Sequence, residues 1–239
     1  MKVVVTGASG DIGKAIVRAF FSRGDNVAIL YFSDEASANA LAAEGAAPGL
    51  LCVTKKADLR DAEDTSRALD ELLRTFGAPD ILVNAAGIDD YNTLLDTTTE
   101  KWDEIFAVNA RSVFQTSVWA AKHMLAGGRI VNISSVWGRR PAPCEGAYAA
   151  SKAAVESFTK TFAAEVGDLG VTVNAVAAGY IDTKMNARFS KEERADFLSS
   201  LAVKRVGTTE DVVNAVLFLA DEKSSYITGQ ILEVSGGMH

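Results

Sequence analysis

Short runs of β-branched and apolar residues alternate with longer helix-compatible stretches along this chain, and that rotation constrains its fold more than any other feature. The runs are VVVT at Val3–Thr6, VAILY at Val27–Tyr31, LLCVT at Leu50–Thr54, ILVN at Ile81–Asn84, RIVNIS at Arg129–Ser134, VTVNAVA at Val171–Ala177 and ILEVS at Ile231–Ser235. Helical candidates between them are Asp11–Arg23, Ala36–Ala43, Asp61–Phe76, Lys101–Leu125, Tyr148–Asp168 and Glu210–Ala220. In the last, Val212, Ala215, Val216 and Leu219 recur at helical spacing on one face. Strand and helix in rotation predict an α/β architecture, a doubly wound, seven-stranded parallel sheet with helices on both faces. The strands carry few polar residues, as expected when both of their faces are covered.

No repeat, low-complexity stretch or Pro/Ser-rich linker breaks the rotation, so the 239 residues read as a single domain. A 48% hydrophobic content with only 4 prolines rules out a disordered or collagen-like chain. One stretch is out of rhythm: Asp182–Arg205 is polar and charged and lies between the sixth strand and the last helix. Long excursions of this kind are often lids or binding segments, although a surface insertion without a role has the same composition.

The 24 basic residues against 31 acidic ones give a formal charge of −7, without a block of like charges, which argues against a nucleic-acid surface. Cys52, Cys144, His123 and His239 fit neither a disulfide framework nor a metal-ligand spacing, so no metal is expected. No apolar run approaches the roughly 18 residues of a membrane span, and the N-terminus lacks the layout of a signal peptide. A cytosolic location without membrane attachment follows as the expectation.

The first strand runs into TGASGDIG, Thr6–Gly13, and then into an amphipathic segment. Glycines at a strand-to-helix turn let the backbone approach a pyrophosphate, and the free amides of the helix start attract its charge. Asp11 runs against this reading, because a carboxylate there suits a helix cap but repels a phosphate. Either its side chain points away from the cofactor or the phosphate grip is weakened.

Further along, a strand ends in Ser134–Ser135, and thirteen residues later Tyr148 is followed by Lys152 in YAASK. Four residues apart on a helix, Tyr148 and Lys152 share a face. An ammonium beside the phenol is expected to lower its pKa from about 10, making it a general acid for a ketone becoming an alcohol. Ser135 can hydrogen-bond the same carbonyl oxygen. Taken alone, the pair also suits a solvated helix face, and Ser135 a turn cap.

With these motifs the chain resembles the short-chain dehydrogenase/reductase family from residue 2 to 237. The match includes Asp58 after the third strand, NAAG at Asn84–Gly87, Asn109 within FAVNA, and AGYIDT at Ala178–Thr183. The resemblance implies a Rossmann fold. It implies that Ser135, Tyr148 and Lys152 are catalytic, with Asn109 holding a water on the proton path to Lys152. It places Gly7, Ser9, Asp11, Ile12 and Gly13 at the cofactor's pyrophosphate, Asp58 and Leu59 at the adenine, and Asn84, Ala85 and Gly87 near the ribose. Gly179, Ile181 and Thr183, together with Tyr148 and Lys152, complete the cofactor site, Thr183 at the nicotinamide carboxamide. Two residues depart from the family pattern: Asp11 replaces a glycine, and Ala178 replaces a proline, which is expected to loosen the loop that positions the nicotinamide.

The second strand ends in Tyr31, Phe32 and Ser33 in place of the carboxylate that typically binds the ribose hydroxyls of NAD. Ser33 can donate to a 2′-phosphate, so NADP(H) is favoured over NAD(H), although no arginine stands nearby to clamp it and Gly10 replaces the basic residue common in NADP-using relatives. Three segments are expected to set the substrate: Ile88–Asp96, Trp137–Ala147 and Asp182–Ser200. The pattern looks most like bacterial 3-oxoacyl-[acyl-carrier-protein] reductases, implying a small-molecule or carrier-borne ketone. Arg129 stands where that group has a basic docking residue, but Leu169 stands where a second is common, and the −7 charge does not attract an acidic carrier. Locally, SSVWG, Cys144–Glu145, IDTKMN and SYITGQIL look like reductases of a 5-aminopentanone group on elongation factor P. There Glu145, with Asp89 and Asp90, suits an amine, and Trp137 walls the pocket. A non-catalytic cofactor sensor or scaffold is the alternative of a different class. Extra apolar residues on two helices (Phe114, Val118, Trp119, Ala153, Ala154, Phe158, Phe162), together with the family resemblance, imply a homotetramer.

Overall fold

The seven runs form one sheet in which every neighbouring pair is parallel. The structure, a computed structural model, describes residues 1–238; His239 lies outside the described residues. β1 (Lys2–Thr6), β2 (Asn26–Tyr31), β3 (Cys52–Lys56), β4 (Ile81–Asn84), β5 (Arg129–Ser135), β6 (Thr172–Ala178) and β7 (Ile231–Val234) stand in the order β3-β2-β1-β4-β5-β6-β7. The order reverses between β1 and β4, which opens a crevice at their carboxyl ends.

Side chains alternate between two cores. Val3 and Val5 of β1 pack toward α1 (Asp11–Ser22), α2 (Glu35–Glu44) and α8 (Thr209–Ala220), among Ile16, Phe20, Leu41 and Val216. Val4 packs the other way, toward α3 (Ala62–Thr75), α5 (Ser112–His123) and α6 (Gly146–Val166), among Leu69, Leu72, Ala120 and Val166. Each such Val, Leu, Ile or Phe side chain, withdrawn from water, stabilises the fold by about 1.5–3 kcal/mol before entropy is counted. No described helix is long and apolar enough to cross a membrane.

Three expectations need correction. The single helix predicted over Lys101–Leu125 is divided: α4 (Thr99–Phe106) passes through a π-helical turn at Ala107–Arg111 into α5. Asn109 lies within that turn, and its amide bonds Ile88 and Ser151. Periodicity alone does not reveal a π-turn, since the helix on either side keeps its spacing. Trp119 and Phe162 are core residues, 8% and 7% exposed, and leave only part of the expected surface patch outside. Ala178 does not loosen its loop: it pairs with Ser135 on one side and Val234 on the other, and the next amide, Gly179, donates to Val234 at 2.9 Å.

The irregular stretch contains α7 (Lys191–Ser200), opened by a capping box in which the Ser190 hydroxyl accepts the Glu193 amide and Glu193 accepts the Ser190 amide. The S-x-x-E spelling at Ser190–Glu193 is the sequence signal that marks it.

Candidate active site

The carboxyl ends of β1, β4, β5 and β6 open into two adjoining grooves that share Ile12, Ala85, Gly87, Thr183 and Met185. Ser9, Asp11, Tyr31, Asp58 and Leu59 line one of them. Its floor needs glycine. Gly7 has φ +63°, and a Cβ there would lie 2.5 Å from Ala86 Cα. A Cβ at Gly13 would lie 2.3 Å from the Gly7 carbonyl oxygen. The β1–α1 turn is thereby pressed against the end of β4, with the first amides of α1 beside the groove.

The second groove holds Ser135, Trp137, Glu145, Tyr148, Lys152, Gly179 and Ile181. β5 delivers Ser135 at its last residue, where its hydroxyl accepts the Trp137 amide at 3.2 Å. α6 presents Tyr148 and Lys152 one turn apart. The Lys152 ammonium is buried, donates to the Ile133 carbonyl at 2.9 Å and lies 5.5 Å from the Tyr148 ring centroid. It passes close to Gly87, where a Cβ would stand 3.3 Å from Nζ. Asn109 is fully buried and holds Ile88 by two hydrogen bonds of 2.9 and 2.8 Å.

The electrostatics reverse one expectation. Burial, and not the Lys152 ammonium, has the largest effect on the acidity of Tyr148. Tyr148 keeps some surface toward the groove, but protein crowds it closely, so desolvation pushes its pKa up. The Ser135 hydroxyl pulls it down, while the Glu145 and Asp89 carboxylates add to the rise. Burial likewise lowers Lys152, to about 8.

A family model described as enoyl-(acyl carrier protein) reductase matches residues 7–239. The 3-oxoacyl-[acyl-carrier-protein] reductase of Staphylococcus aureus is 37% identical over 238 residues, covering 99% of this chain and 97% of the relative. That of Escherichia coli is 38% identical, covering 99% and 96%. A short chain dehydrogenase from Burkholderia cenocepacia, solved in complex with NADP, superposes with a TM-score of 0.93 at 36% identity, covering 98% of this chain and 96% of the other. The chain belongs to the short-chain dehydrogenase/reductase family.

Several residues singled out from the family pattern sit differently in the structure. Asp11 turns its carboxylate to the Lys184 amide, 2.7 Å away, which answers the question of where it points. The Asn84 side chain faces a buried network instead of the groove: its amide donates to Ser117 and Asn132, and its carbonyl accepts from Thr116. Ser33 is exposed and does not line the groove, whereas Phe32 does. Glu145 is no free carboxylate for an amine, because Arg188 pairs with it at 2.9 Å. Arg129 is buried, with its guanidinium on the carbonyls of Gly127 and Gly128, and presents no exposed charge.

The sequence reading missed other residues of this short-chain dehydrogenase/reductase site. Arg60 comes from the loop after β3 to lie 4.4 Å over the Phe32 ring, bonded to Asp58 at 2.8 Å. Tyr91, Phe189, Tyr180, Phe197 and Trp137 form a continuous arc of rings, with centroids 4.8–6.3 Å apart, around the second groove. Phe189 and Phe197 are the only aromatic residues of Asp182–Arg205, a signal that was available within an otherwise polar stretch. Among the described residues, no three His, Cys, Asp or Glu side chains gather as metal ligands.

Proposed function

We propose that this protein reduces a ketone, a 3-oxoacyl group being the best match, to a secondary alcohol, with NADPH as its cofactor. The carrying observation is that Ser135, Tyr148 and Lys152 line one apolar groove continuous with a glycine-floored groove suited to a dinucleotide. Bound NADPH supplies the hydride. Ser135 and Tyr148 donate hydrogen bonds to the substrate oxygen, and Tyr148 transfers its proton there as the alcohol forms. Its raised pKa keeps that proton in place at neutral pH, ready for transfer. Lys152, cationic at pH 7, favours the tyrosinate left behind. Asn109, fixed by Ile88 and Ser151, positions the proton path behind Lys152.

The glycine-floored turn with Ser9, Ile12 and the α1 amides would hold the pyrophosphate, and Asp58 and Leu59 the adenine end. Gly179, Ile181 and Thr183 would hold the nicotinamide end. Arg60, stacked on Phe32 and paired with Asp58 and Glu104, would serve a 2′-phosphate by exchanging a carboxylate partner for it. Free ketones and thioesters fit the acidic chain and the buried Arg129 better than a strongly docked carrier does. The 5-aminopentanone reading loses Glu145 as a free carboxylate to Arg188, and the sensor reading loses Ala178 as a defect. Phe114, 52% exposed, stands edge-on to Phe158 on the α5/α6 surface, where we place the interface of a cytosolic homotetramer; a monomeric mass in solution would remove that assignment.

The deciding experiment follows absorbance at 340 nm with NADPH and either a β-ketoacyl thioester or a small amino ketone. Turnover of the thioester, abolished in Tyr148→Phe with the fold retained, supports the reading. Cofactor binding without turnover of any ketone refutes it.

A further inference from the structure

The three segments expected to set the substrate meet at one side chain, Arg188. From the stretch after β6, its Nη1 donates to Asp89 Oδ2 at 2.5 Å and its Nη2 to Glu145 Oε1 at 2.9 Å. Asp89 lies in the loop after β4, and Glu145 precedes the first turn of α6. The same guanidinium lies 4.8 Å from the Tyr91 ring and 5.1 Å from the Phe189 ring. Arg188 and Asp89 are mostly withdrawn from solvent, and the Glu145 side chain is only 8% exposed. The backbone supports the arrangement. Cys144, just before Glu145, has φ +64°, the only non-glycine residue among those described with positive φ. Strained backbone of this kind persists where its surroundings hold it in place.

We propose that Arg188 is a positioning residue that clasps the 182–205 segment over the substrate groove and offsets the two carboxylates flanking Tyr148. The proposal deepens the ketone-reductase reading and rests on it for the role of Tyr148. Two carboxylates and one guanidinium leave a net charge of −1 beside the groove. Removing Arg188 leaves Asp89 and Glu145 repelling each other, with Glu145 buried and unpaired, a strongly unfavourable state that lifting the segment relieves. The groups facing Tyr148 are Ser135 from β5, Lys152 from its own helix, Glu145, Asp89 and Arg188. The carboxylates hold its proton more tightly, and Arg188 loosens it.

The test compares wild type with Arg188→Gln, Arg188→Lys and Glu145→Gln in two measurements. The first is the alkaline limb of the pH–rate profile for ketone reduction. Arg188→Gln is expected to move it up by about half a pH unit, and Glu145→Gln to move it down by a similar amount. The same signs hold whether the limb reports Tyr148 or Lys152. The second is amide hydrogen exchange over residues 184–200 without substrate, expected to quicken several-fold in Arg188→Gln and to recover in Arg188→Lys. Limbs moving in the same direction, or unchanged exchange in Arg188→Gln, overturn the proposal. If the wild type reduces no ketone, the functional reading fails and exchange alone decides the clasp.

Discussion

The Asp11 carboxylate accepts the main-chain N–H of Lys184 at 2.7 Å, joining the first turn of α1 to the segment over the substrate groove across 173 positions of sequence. A residue that looked like a flaw in a phosphate-binding turn is a tie between the two grooves. Thr183 and Met185, on either side of Lys184, line both of them.

Substitutions at Asp11 separate its two effects. Asp11→Asn keeps an acceptor for Lys184 but removes a negative charge beside the pyrophosphate site, so the cofactor should bind about threefold more tightly with the ketone KM unchanged. Asp11→Gly also removes the tie, and its ketone KM should rise. Steady-state kinetics with each substrate varied in turn measures both effects. A ketone KM unchanged in Asp11→Gly would show that the tie does not hold the segment.

Lys152 should trade stability for activity. Its pKa is lowered from 10.5 to about 8 by burial, so the folded state binds its proton less well than the unfolded state. Below pH 8 both states are protonated and the full penalty applies, roughly 3 kcal/mol. Between pH 8 and 10.5 only the unfolded state keeps the proton, and the penalty disappears as pH rises. Lys152→Met should therefore lose turnover yet gain thermal stability at pH 7, with the gain shrinking toward pH 10. Paired melting curves from pH 7 to 10 test this; a gain that does not change with pH contradicts it.

What could be read from residue order follows from range. Strands, most helices and the YAASK pair are local patterns, and Tyr148 and Lys152 share a groove because four residues make one helical turn. Arg60 carries no local signal, because its partner Phe32 is 28 positions earlier and meets it only through the β2–β3 pairing. Glu145 reads as free in sequence because Arg188, which pairs with it, arrives from 43 positions away. Asn84 fits the motif by position, but the side chains that turn it inward, Thr116, Ser117 and Asn132, come from α5 and β5. The direction of the Tyr148 shift depends on burial, which spacing does not report.

Arg60 carries a prediction about cofactor choice. Its guanidinium is held over Phe32 by Asp58 and is the arginine brought to the end of β2, where a 2′-phosphate distinguishes NADPH from NADH. Arg60→Ala should weaken NADPH binding about tenfold, the loss of roughly 1.4 kcal/mol from one charge-assisted contact, and weaken NADH binding by less than about threefold. Fluorescence titration with both reduced cofactors reads the difference. Equal losses would mean that Arg60 shapes the adenine end without reading the phosphate.

Tyr180 carries the last prediction. Its ring sits between Phe189 and Phe197, with centroids 5.8 and 4.8 Å away, and the residue is 8% exposed. Its hydroxyl is buried and has no hydrogen-bond partner among the described residues. An unpaired buried hydroxyl costs about 1–3 kcal/mol relative to its hydrated state, and removing the oxygen leaves the ring contacts in place. Tyr180→Phe should therefore raise stability by about 1 kcal/mol, seen as a higher urea midpoint with an unchanged m-value, and leave the ketone KM as it was. A lower midpoint would mean that the hydroxyl is satisfied in solution. A raised KM with unchanged stability would mean that the hydroxyl reaches the substrate, making Tyr180 a polar contact in an otherwise aromatic wall.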